Sequence, residues 1–215
     1  MELVINKKEF YIPNKWNEVS LRKYMQFMAT YNEEVSEAEK QMHLITGFTG
    51  ANPDHIGKAS KSVINKAVKR LGGLMETKPS EELVIEFEID GVEYGFHPNM
   101  RDLKLKEFVD LDNALGNGWE NMHKIMGILY RPITNRKGDK YNIEDYDFIT
   151  ANNRAKMYLD SLSVEVVNGA AAFFLGIVTD YMKIMRAYSQ VDRKTRRERT
   201  RQTKKLLRKT MDGTL

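Results

Sequence analysis

The sequence predicts an α+β fold, predominantly helical, with one or two β-hairpins packed on a helical bundle and a long C-terminal helix carrying a basic extension. Three observations lead there. Apolar residues recur at helical spacing through most of the chain, between Ser, Gly and Pro punctuation. Asp90-Gly91, the pair preferred in a two-residue type I′ turn, sits between two alternating apolar stretches. The 215 residues are 41% hydrophobic and 30% charged, the balance of one globular core rather than of a disordered chain.

Along the chain, the first thirteen residues can form a hairpin with Lys7 and Lys8 at its tip, pairing Ile5 with Phe10 and Leu3 with Ile12. Pro13 prevents the ladder from continuing. Ser20 caps a helix running to about Tyr31, with Leu21, Tyr24, Met25 and Met28 on one side. A second helix covers about Ser36 to Ile45 and stops at Thr46-Gly47. A short turn begins at Asp54. A third helix, about Ser60 to Leu71, ends at Gly72-Gly73. Folding residues 84–96 at Asp90-Gly91 pairs Ile89 with Val92, Phe87 with Tyr94 and Ile85 with Phe96, all on one face. The other face carries Glu86, Glu88, Glu93 and Gly95. Opposed like charges there, Glu88 against Glu93, suit a solvated face or a basic partner laid across it.

After Pro98, Leu105 to Leu115 is an amphipathic helix and Trp119 to Tyr130 another, its stripe formed by Met122, Ile125, Met126 and Leu129. Pro132 stops it, and Asn135 to Asp139 reads as a polar loop. Asn142 or Asp145 caps a helical stretch reaching about Leu162, with a break near Thr150. Ser163 opens the longest periodic segment, to about Ser189, small and apolar in its first half. The organisation expected is one domain over 1–190 and a basic helix or tail over 191–215.

The charge is segregated. The net is +4, yet Arg193 to Lys209 holds ten cations and one acid, Glu198, so residues 1–192 carry −4. As a helix, Arg193, Arg197, Arg201, Lys204 and Arg208 share an 80° stripe, with Lys194, Arg196, Arg199, Lys205 and Lys209 around them. This reads as a solvated tail or a contact for a polyanion, nucleic acid or an acidic protein surface. No aromatic follows Tyr188, so the stacking platform of a single-strand binder is missing.

Chemistry is sparse. With no cysteine, disulfides, thiolate nucleophiles and cysteine-ligated metals are excluded. None of HExxH, GxxxxGK[ST], a post-strand GxGxxG or GxSxG occurs. His43, His55, His97 and His123 share no i, i+4 spacing; His123 reads as a packing residue and His97-Pro98 as the close of the hairpin. Asp110 and Asp112 project about 200° apart on a helix, poor for a shared metal. Glu144, Asp145 and Asp147 read as acids enriching a helix N-terminus. A carboxylate-metal site at Asp110/Asp112 or Glu144/Asp147 is the enzymatic reading, and the weaker one; no cofactor is expected. The N-terminus lacks the layout of a secretion signal, and no segment approaches the ~18 apolar residues that cross a bilayer. A soluble protein made inside a cell is expected.

Several of these residues form a pattern. The hairpin is followed by Tyr94-Gly-Phe-His-Pro98, then Leu103-Lys-Leu-Lys-Glu-Phe-Val-Asp-Leu-Asp112, and later Ile128-Leu-Tyr-Arg-Pro132; upstream stands Leu44-Ile-Thr-Gly47. Over about residues 42–148 this resembles proteins of tailed bacteriophages, in which an apolar hairpin, a Pro and an acid-Phe-x-Asp block precede a helix ending in Leu-Tyr-Arg-Pro. Lys106 stands where that family often has Gly. The resemblance implies a component of the tail, neck or head–tail connection, or an assembly chaperone for one. It implies other phage structural proteins as partners, homo- or hetero-oligomers, no membrane, and residence in the virion after synthesis in the host cytoplasm. It supplies no catalytic residue.

Overall fold

Hydroxyl and amide side chains open most of the helices. In the computed structural model, which describes residues 2–5, 8–32, 34–116, 118–176 and 201, Ser20, Ser36, Asn52 and Ser60 each accept a backbone N–H two or three residues on. They cap α1 (Leu21–Thr30), α2 (Glu37–Thr49), α3 (Pro53–Ile56) and α4 (Lys61–Met75). Glu39 returns the favour at Ser36, completing a capping box. The chain is α+β and predominantly helical, as its sequence predicts.

Two helix ends differ from expectation for one reason. Gly47 and Gly72-Gly73 were natural stops, yet α2 runs on to Thr49, with Gly50 at φ +72° as its cap, and α4 runs on to Met75. A Cβ at Gly47 would sit 2.9 Å from the Phe27 Cβ, so this glycine lets α1 and α2 touch instead of ending α2. Two glycines inside a helix cost about 1 kcal/mol each. Continuing α4 through them buries Leu74, a gain of about 1.5–3 kcal/mol.

β1 (Glu2–Ile5) and β2 (Lys8–Tyr11) form the first hairpin in a register two residues tighter than expected, with Leu3 opposite Phe10 and Ile5 opposite Lys8. Two-residue connections are the favoured hairpin geometry, and the shift frees Ile12 to be fully buried. It joins Trp16, Val19, Phe27, Ile45, Phe48, Ala67, Leu71 and Val164 in one apolar cluster between β2 and the first four helices. The Trp16 indole N–H donates to the Thr77 carbonyl at 3.1 Å.

The second sheet has the order β3-β4-β5-β6, all antiparallel. β3 (Glu86–Ile89) and β4 (Val92–Phe96) pair as the sequence predicts, around Asp90 (φ +51°) and Gly91 (φ +80°), the two positive angles a type I′ turn requires. α5 (Leu105–Leu115) and α6 (Met122–Leu129) follow, α6 beginning three residues later than expected because Gly118–Asn121 forms a 3₁₀ turn. The polar loop expected at Asn135 to Asp139 is instead a hairpin of β5 (Tyr130–Lys137) and β6 (Lys140–Ile143). Its residues are mostly exposed and polar, so no apolar alternation announces it.

Pro132 lies inside β5 without breaking it. Phe96 donates to Ile85, so Tyr94 and Phe96 face β3 while Gly95 faces β5. Pro132, opposite Tyr94, therefore faces β6, where its carbonyl accepts from Glu144 at 2.8 Å beside a register irregularity. α7 (Phe148–Ser161), capped by Asp147, starts after β6 rather than at Asn142 or Asp145. It lays Tyr158 under Phe87, Tyr94 and Tyr130, and its hydroxyl donates to the Tyr130 carbonyl.

A further helix, α8 (from residue 164), returns to the first cluster. Leu21 donates to Leu162 and Val164 to Val19, a short bridge around Ser20 and Ser163. Asn168 donates to the Pro79 and Ser80 carbonyls, and a Cβ at Gly169 would collide with the Glu82 carbonyl oxygen. The chain forms two compact units, Met1–Ala172 and Phe173–Leu215. Of the second, residues 173–176 and 201 are described, all helical; the long-helix expectation beyond 176 and the expected boundary at 190 lie outside the described residues.

Candidate functional site

Glu107 is the third residue of α5, where an acid can turn back onto the N-cap; its Oε2 accepts the Lys104 N–H at 3.0 Å. Its Oε1 accepts from the Arg131 guanidinium at 2.8 Å, both side chains fully enclosed. His97 Nε2 lies 3.8 Å from Oε2. One turn further along α5, Asp110 Oδ2 accepts the Tyr146 hydroxyl at 2.7 Å, and the Tyr146 ring faces the Arg131 guanidinium 5.9 Å away. Glu107, Asp110 and Arg131, members of two separated sequence blocks that carry the phage resemblance, thus converge. The resemblance puts Arg131 at the end of a helix; it stands instead on β5, 24 residues from its partner.

Burial, and then the Arg131 charge, depress the His97 pKa against the pull of Glu107. Burial, reinforced by Asp110, pushes the Tyr146 hydroxyl well above its ordinary value. Beside this node lies an open pocket of about 440 Å³ whose walls include Lys104, Glu107, Arg131 and Glu144. The wall charges are largely answered by one another: Lys104 binds Asp145 at 2.7 Å and Arg154 binds Glu144 at 2.6 Å. The Lys104 ammonium holds the Asp145 carboxyl below its usual range. What the arrangement does is fix α5 to the sheet. A buried pair of this kind is a weak source of net stability but a severe loss when one member goes.

The carboxylates considered as metal ligands have separate structural tasks. Asp110 serves Tyr146, Glu144 serves Arg154 and Asp147 caps α7; Asp112 is exposed. Of the three acids expected at one helix N-terminus, only Asp147 acts there. Among the described residues no three His, Asp or Glu side chains group as a metal site. His123 is half-buried, its pKa depressed by burial and by Lys124.

On the glutamate face of the hairpin, Arg136 of β5 reaches across to Glu86 at 2.6 Å and Glu93 at 3.3 Å. Part of the basic partner that this face suggests is therefore internal. Glu88 is exposed and has no ion pair among the described residues. Of the ten C-terminal cations, Arg201 is exposed on a helix; Arg193, Lys194, Arg196, Arg197, Arg199, Lys204, Lys205, Arg208 and Lys209 lie outside the described residues.

α5 is apolar on two sides. Leu111 and Ala114 are buried, while Leu105, Phe108 and Val109 point outward, 79%, 56% and 47% exposed. Their i, i+3, i+4 spacing was visible in the sequence, but reading the helix as simply amphipathic hid a second stripe. Phe148 and Ile149 at the start of α7 are exposed as well. Between α5, α6 and α7 runs a groove of about 380 Å³ floored by Ala114, Ile128 and Ala151 and lined by Asn113, Asn121 and Asn152. Among the described residues no helix is long and apolar enough to cross a membrane.

No protein-family model, curated protein or solved structure matches the chain.

Proposed function

We propose that the chain is a non-enzymatic structural protein of a tailed bacteriophage, part of the tail, neck or head–tail region, working through contacts with other phage proteins in an oligomeric assembly. The observation that carries this reading is the outward stripe of Leu105, Phe108 and Val109 on α5. Three large apolar side chains at helical spacing on a solvent face suit a protein partner. The resemblance over residues 42–148 supplies the phage context. Glu107, Asp110 and Arg131, the polar members of that pattern, are engaged in holding α5 to the sheet, which fits a scaffold better than a reaction centre. On this reading the protein is made in the host cytoplasm and resides in the virion.

Mass spectrometry of washed, purified particles tests it: peptides of this chain should co-purify at a fixed copy number. Peptides in assembly intermediates alone would mark a chaperone that leaves before maturation. Absence from both would end the proposal. A second role rests on the cations from Arg193 to Lys209. Binding to duplex DNA through them should weaken steeply with salt and vanish when the residues after Val191 are removed.

A further inference from the structure

Charge on the first unit is sorted by element. From Ile56 to Met75 there are five cations and no acid: Lys58, Lys61, Lys66, Lys69 and Arg70. From Glu81 to Phe96 there are six acids and no cation: Glu81, Glu82, Glu86, Glu88, Asp90 and Glu93. The first set belongs to α4 and its approach, the second to the β3–β4 hairpin and the segment leading into it.

The geometry of α4 separates its charge from its core. Ala67, Leu71 and Leu74 are buried, with Val63, Ile64 and Val68 packed beside them. Lys61, Ser62, Asn65, Lys66 and Lys69 fall on the opposite arc, about 140° wide at 100° per residue, and all are exposed. Lys58 is exposed just before the helix. None of these four lysines has an ion pair among the described residues. Arg70 is turned aside, half-buried and within the field of Glu18.

The hairpin is the complement. Glu86 and Glu93 share the single charge of Arg136, and Glu88 and Asp90 have no counter-ion among the described residues. Ile85 and Val92, 56% and 41% exposed, lie on the other face of the hairpin and take no part in this surface. No ion pair among the described residues joins α4 to the hairpin. They serve different clusters, α4 the first and the hairpin the aromatic one around Tyr158.

We infer that the occupant of the acidic hairpin is the α4 lysine face of a second copy of this chain. The choice of occupant follows from charge: four free lysines face an excess of about three negative charges, and every copy carries both surfaces. Because the two patches differ, the contact is heterologous and propagates head to tail, closing into a ring if the rotation per copy allows and extending otherwise. This deepens the proposed assembly role and rests on it.

Sedimentation of the full chain at 50 mM and 500 mM NaCl tests the inference, with melting curves to verify folding. The wild type should assemble at low salt and dissociate at high salt, since exposed pairs weaken as the screening length shrinks. Two reversed variants, K58E/K61E/K66E/K69E and E88K/E93K, should each be monomeric, and an equimolar mixture of the two should assemble again. That recovery also shows that both variants folded. A wild type monomeric at low salt, or assembly persisting in either reversed variant, would overturn the inference. So would an α4 reversal that abolishes binding to a duplex DNA probe and leaves self-association unchanged, which would make α4 a polyanion surface. Each of these results is separable from the particle analysis, because a chain present in virions can still lack this contact.

Discussion

The two cores of the first unit are built on different chemistry. Around Trp16, Phe27 and Phe48 the interior is apolar, closed by ring contacts such as Phe27 against Phe48 at 4.9 Å and finished with one indole hydrogen bond. Around Tyr130 and Tyr158 the interior carries hydroxyls and charges. Tyr130 donates to the Val84 carbonyl, and Glu107 and Arg131 are enclosed together within the same half. The first core depends on volume being filled, the second on its buried charges and hydroxyls being paired. The first tolerates apolar side chains of the right size; the second tolerates paired changes and punishes single ones.

Arg131→Met sharpens that contrast most. It strands Glu107 without its counter-charge and should cost about 3–5 kcal/mol in urea unfolding. Glu107→Gln combined with Arg131→Met should recover much of that loss, because Gln keeps an oxygen for the Lys104 N–H. A double variant no more stable than the single one would erase the distinction between the cores. Phe48→Ala, in the apolar core, should also cost about 3–5 kcal/mol, with no second substitution nearby able to repair it by pairing. Gly127→Ala comes next: its Cβ would sit 2.5 Å from the Ala151 carbonyl oxygen, a backbone atom, and overpacking of this kind costs about 1–3 kcal/mol. Loss of stability without loss of fold, read by circular dichroism, is the expected result.

The smallest effect is a slope. The folded-state pKa of His97 lies below its unfolded value, so the unfolded chain takes up its proton first as the solution acidifies. Its contribution is intact above the unfolded pKa, about 6.5, and declines as the pH falls from there toward the folded value. His97→Gln should flatten stability against pH in that window, partially, since His123 is depressed in the same direction.

Legibility in the sequence followed the range of the interactions. The β3–β4 register, the Ser20 cap, the helix starts near Ser36 and Ser60 and the bounds of α5 were readable because each depends on residues close together in the chain. Gly47 and Gly72 misled because a neighbour decided their fate: Phe27 crosses the first, and burial of Leu74 carries α4 past the second. The β5–β6 hairpin was hidden by exposed, polar strands, and the Glu107–Arg131 pair by the 24 residues that separate its members. Residue types alone name neither the pair nor the outward stripe on α5. Both become visible only when the inward face of the helix is known.

The return of α8 to the first cluster carries a temporal consequence. Val164 completes a core whose other members lie between Ile12 and Leu74. At about 5–20 residues per second, synthesis reaches it roughly 8–33 s after the chain begins. During that interval the first cluster lacks one of its members. The cluster is complete only once Val164 has left the ribosome, when the bridge between Ser20 and Ser163 can also form.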